Sequence, residues 1–155
     1  MSDRDSMIRG WDACWNDGPV SPPWSLVFEH LTAAQAATPP APGRHSVWQL
    51  LEHMVFWRHA TISHLAGRPP SAEDVARHEW AGPSSPASPS ESDWADARAR
   101  FAASQSAVRD AMRDERHPTE AFRGLFLHDA YHCGQVALTR QLVGAPPIRT
   151  GAESP

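Results

Sequence analysis

The spacing of apolar side chains along this chain predicts helices and gives little support to strands. Met7, Ile8, Trp11 and Trp15 stand one, three and four residues apart, the pattern of a short amphipathic helix. The stretch NDGPVSPP at 16–23 breaks it. A further helical piece is expected from about Trp24 to Ala37, opening behind Pro22 and Pro23 and stopped by TPPAPG. The clearest pattern is SVWQLLEHMVFWRHATISHL, residues 46–65. Val47, Leu50, Leu51, Met54 and Trp57 recur at helical spacing. Ser46 and Gln49 form an S-x-x-Q capping box, and Gly67 and Pro69 end the run.

Residues 66–91 change character, with five Pro, five Ser and two Gly. They read as an irregular crossover with one short turn near Ala72 to His78. Residues 92–114 then form a helix, with Asp93 and Asp96 in its first turn and a seam of Trp94, Ala97, Phe101, Val108 and Met112. A last helix spans 119–143, opening after Pro118 and closing at Gly144. Taking the interrupted N-terminal stretch as one segment, four helical segments result, with a long crossover between the second and third. The expected fold is all-α, a four-helix bundle, and the tail RTGAESP is expected to be disordered.

Composition narrows the chemistry. The chain has 155 residues, 41% of them hydrophobic, which suits one domain with one core. The formal net charge is -4 and no basic block stands out, so no nucleic-acid partner is expected. No apolar run is long enough to cross a bilayer, and MSDRDSMIRG has no leader-type stretch, so the expected location is the cytoplasm. Cys14 and Cys133 are too few for a disulfide framework. All 14 basic residues are arginine. Without lysine, Schiff-base chemistry, pyridoxal phosphate anchoring and a P-loop are excluded.

Nine histidines remain to be weighed. His128 and His132 lie one turn apart, about 40° from each other around the helix axis. Two ligands of one ion need that spacing. Their stripe also carries Ala121, Leu125, Gln135, Val136, Thr139 and Leu142, so it is expected to face the interior. There two imidazoles need partners, either hydrogen bonds or a metal. His53, mid-helix among Leu50, Phe56, Trp57 and Ala60, is the best third candidate. His64 is about 16 Å along the axis from it, too far to share an ion. His30, His45, His59, His78 and His117 read as surface or packing residues. Glu52 and Asp129 each adjoin a candidate ligand but point about 100° away, so direct coordination is not expected; surface solvation is expected ahead of a supporting hydrogen bond to a ligand ring. Trp57 and Tyr131 are placed to border a site at these histidines, but ordinary packing is the expected role of each.

Two motifs, SVWQLLEHMVFW and LHDAYHCGQVALTRQLVG, together with the approach LTAAQAATPPAPGRHSVWQLLEH and the Pro-rich crossover, resemble the DinB-like superfamily of small metal-binding bundles. The resemblance runs from about residue 24 to 145. It implies a divalent metal held by His53, His128 and His132, with zinc or nickel ahead of iron. It also implies a metal-dependent enzyme of the thiol S-transferase or hydrolase kind, acting on a small-molecule substrate with a low-molecular-weight thiol as co-reactant. A non-catalytic, stress-related metal-binding module is the alternative. No motif identifies the thiol or a general base. A homodimer is also expected, through the helix face of Phe126, Ala130, Cys133, Gly134 and Ala137.

Overall fold

The computed structural model describes residues 2–19, 21–85 and 89–148. The tail RTGAESP, expected to be disordered, lies outside them. Among the described residues every regular element is a helix: α1 (Asp3–Asn16), α2 (Ala33–Ala37), α3 (Val47–Leu65), α4 (Ala72–His78), α5 (Glu91–Arg113) and α6 (Glu120–Leu142). The expected all-α class holds.

Local sequence explains most of the starts. Ser46 caps α3 and Gln49 reaches back to the Ser46 amide, the capping box read from the sequence. Equivalent boxes open α1 (Ser2, Asp5), α4 (Ser71, Asp74) and α5 (Ser90, Asp93). Thr119, by contrast, makes no side-chain cap for α6.

One expected helix is mostly absent. Residues 24–30 form turns, and only Ala33–Ala37 are helical. Buried Arg140 is the cause: its guanidinium donates to the carbonyls of Val27 (2.8 Å) and Glu29 (2.9 Å). Helix would need those carbonyls for its own amides. The Trp24 and Ser25 amides instead donate to Cys14 and Trp15 at the end of α1. His30 takes a left-handed φ of 60°, which ends the turn before Thr32 and Gln35 open α2.

α3 packs against both α5 and α6. Its partners on α5 rise together with it: Trp48 with Trp94, Glu52 with Arg100, Arg58 with Ser104. Two neighbouring helices paired this way run parallel, which the long crossover between them permits. Trp11 of α1 is fully buried, edge-on to Trp24 (5.0 Å) and Phe126 (5.1 Å). Its indole donates to the Gln105 carbonyl at 3.1 Å, tying α1 to α5. The seam foreseen on α5, from Trp94 to Met112, is buried throughout.

Candidate metal centre

α3 carries His53 on its inner face and α6 carries His128 and His132, so helix packing brings the three rings to one point. Each offers a ring nitrogen, and these lie within 4.8 Å of one another. Nε2 of His53 faces Nε2 of His128 at 3.0 Å. Tetrahedral ligation at about 2.0–2.1 Å would hold two nitrogens roughly 3.3 Å apart.

The opposite edge of each ring is pinned. Nδ1 of His53 meets the Glu79 carbonyl (3.2 Å), Nδ1 of His128 meets Asp129 Oδ1 (3.0 Å), and Nδ1 of His132 meets Gln135 Oε1 (2.7 Å). A carbonyl oxygen only accepts, and so does an ionised carboxylate, so each Nδ1 must donate. In the neutral ring that leaves every Nε2 with a free lone pair turned inward. Burial pushes the pKa of His53 down to about 4, with His132 and His128 adding repulsion. Burial lowers His132 too, though its bond to Gln135 opposes the shift. Neutral imidazole is the form that ligates.

Behind this triad lies a pair that sequence reasoning missed. Asp129 is fully buried and bonds Arg58 Nε at 2.7 Å. Solvation, the role expected of Asp129, is therefore wrong: it is a core residue that joins Arg58 to His128. Arg58 also donates to Ser104 Oγ (2.9 Å) and the Phe101 carbonyl (3.2 Å), with its guanidinium 4.1 Å over the Phe101 ring. Glu52 is half-buried and paired instead of simply solvated, accepting from Trp48 and Arg100.

The crossover supplies the roof. Trp80 is sandwiched between His45 (3.6 Å, 5° between planes) and His53 (3.9 Å, 12°). Trp57 donates to Glu79 Oε1 at 3.3 Å, which holds the segment carrying the Glu79 carbonyl. Tyr131 is exposed at the rim, where its hydroxyl accepts from Gln135 Nε2 at 3.0 Å. A cavity of about 530 Å³ between α1 and α6 is lined by none of the three histidines.

A family model described as the DinB superfamily matches residues 24–139. The chain belongs to the DinB superfamily. The match spans all three histidines, Asp129 and Gln135, and leaves α1 outside. No curated protein matches the chain, and no solved structure does. Among the described residues of this DinB-superfamily protein, no helix is long and apolar enough to cross a membrane. On the helix face expected to form a homodimer, Cys133 is fully buried, Ala130 packs on the core and Phe126 lies against Trp11, while Gly134 is exposed.

Proposed function

We propose that His53, His128 and His132 hold one divalent cation through Nε2, and that the protein is a metal-dependent enzyme of the thiol S-transferase or hydrolase kind. One observation carries the reading. Three Nδ1–H groups are each tied to an oxygen, so three unprotonated nitrogens converge without rearrangement of the rings. Membership of the DinB superfamily supports it. The all-imidazole donor set suits zinc, nickel or iron(II), with zinc or nickel favoured. Three protein ligands leave a coordination position open, the arrangement of catalytic and not closed structural sites. A cation there supplies Lewis acidity, lowering the pKa of a water or thiol so that a nucleophile exists at neutral pH.

The chain's own residues do the rest. Asp129, Gln135 and the Glu79 carbonyl fix which nitrogen of each ring carries the proton. Trp80 covers His53 and keeps water from that side of the ring. The reading places the protein in the cytoplasm, where low-molecular-weight thiols stay reduced.

Elemental analysis of the purified protein tests the first half. About one equivalent of metal is expected, lost in each of His53→Ala, His128→Ala and His132→Ala. Unchanged metal content in those variants would overturn the ligand set. Incubating metal-loaded protein with an electrophile and several low-molecular-weight thiols, then with activated esters and amides, tests the second half. Failure to consume any of them would remove the enzymatic reading.

A further inference from the structure

A second cavity, of about 420 Å³, lies beside the triad and has a chemical character of its own. That volume is within the range of small-molecule sites. Its walls include Leu50, Trp80, Gln135, Leu138 and Leu142, with Arg44 at the loop side. Two of these walls are shared with the metal centre. Trp80 stacks on His53 at 3.9 Å, and Gln135 accepts from His132 at 2.7 Å. Whatever fills the cavity therefore lies one side chain away from the ligating rings.

Its composition selects a ligand. Leu138 and Leu142 are 58% and 63% exposed, an unusual cost for leucines one turn apart unless something covers them. Arg44 carries the one permanent charge among the lining residues, and no carboxylate lines the space. Arg44 is exposed, and its guanidinium makes no hydrogen bond or ion pair with any described residue. An arginine left unpaired at the mouth of a space walled on one side by leucines suits a carboxylate, which its planar fork can bind through two donors.

We propose that this cavity binds the substrate as an apolar monoanion of the medium-chain carboxylate class, with its carboxylate on Arg44 and its chain along Leu50, Leu138 and Leu142. This assigns a substrate class to the metal centre and so rests on the reading above, but the binding step itself needs only the cavity. Trp80 and Gln135 then have two duties each, contacting the rings on one side and the ligand on the other.

The probe is octanoate, titrated calorimetrically into the full-length protein, with octanol and octylamine as neutral and cationic controls of equal length. Wild-type protein should bind octanoate at least tenfold more tightly than either control. Arg44→Ala should weaken octanoate at least tenfold and leave octanol unchanged, and Arg44→Lys should recover part of the loss. Leu138→Glu, on the exposed wall, should abolish octanoate binding with its fold retained by circular dichroism. Chelated, metal-free protein should bind octanoate within about threefold of the loaded form. Octanoate binding that survives Arg44→Ala but disappears with the metal would put the carboxylate on the ion and overturn the assignment. Absence of octanoate binding, or equal binding of all three probes, would overturn it too. Failure of the metal reading shows separately, as metal-free purified protein that still binds octanoate through Arg44.

Discussion

Arg58 and Asp129 meet in the core through an Nε–Oδ2 bond of 2.7 Å, and neither side chain is exposed. The second carboxylate oxygen of Asp129 accepts a hydrogen bond from His128 Nδ1, so one buried ion pair also aims a ring of the metal centre. These two roles separate by mutation. Asp129→Ala strands a buried guanidinium and should cost about 3–5 kcal/mol, read as a lower urea midpoint. The double variant Arg58→Met with Asp129→Leu removes both charges and should regain most of that stability. It should still bind metal roughly 10–100-fold more weakly, because His128 has lost its acceptor. Wild-type metal affinity in the double variant would show that Asp129 serves packing alone.

The depressed pKa of His53 sets an acid limit on the metal-free protein. In the unfolded chain the ring takes a proton near pH 6.5; in the fold it resists until about pH 4. Between those values the unfolded state binds more protons, so stability falls as pH falls. The slope from His53 alone is about 1.4 kcal/mol per pH unit. His132, shifted the same way, steepens it. Urea midpoints measured from pH 7.5 to 4.5 on chelated protein should decline across that window, and His53→Gln should flatten the decline. A midpoint independent of pH over this range would contradict the burial of neutral His53.

Local signals are legible in the sequence; of the long-range ones, the histidine convergence is legible and the arginine contacts are not. The Ser46–Gln49 box and the seam on α5 depend on neighbours a few residues away, so spacing sufficed, while the short turn expected near Ala72 to His78 is a capped helix. The convergence of His53 with His128 and His132 followed from two inward helix faces. The helix expected over 24–37 failed because Arg140, more than a hundred residues later, claims its carbonyls. Asp129 was misjudged because Arg58 is 71 positions away. A clue existed: Arg58 lies within about 20° of Leu51 around α3, so it interrupts an apolar face. Trp80 had no periodic context in a Pro- and Ser-rich segment, and nothing local points it at His53.

Metal should stabilise the fold, because the three nitrogens converge only when α3 and α6 are packed. At free metal a hundredfold above its dissociation constant the gain is about 2.7 kcal/mol, or roughly 5–10 °C in Tm for a domain of this size. Calorimetric scans with and without chelator should show that gap in wild-type protein. His128→Ala should close it: His128 is the least buried of the three rings, so its loss perturbs packing least. A gap that persists in His128→Ala would place the stabilising ion elsewhere.

Two glycines make opposite predictions for the same substitution. Gly82 passes so close to α3 that an added Cβ would meet the Gln49 nitrogen at 2.7 Å and the Trp48 carbonyl carbon at 2.8 Å. Both are helix backbone and cannot rotate aside. Gly82→Ala must therefore lift the crossover, straining the 2.6 Å bond from Ser46 Oγ to the Pro83 carbonyl and pulling Trp80, two residues earlier, from its stack on His53. The cost should be about 1–3 kcal/mol, accompanied by faster metal loss to a chelator. Gly124 sits exposed within α6 with nothing near its Cβ position. Gly124→Ala should stabilise by about 0.5–1 kcal/mol through helix propensity, with metal release unchanged. If Gly82→Ala also left metal release unchanged, the roof over His53 would not depend on this close approach.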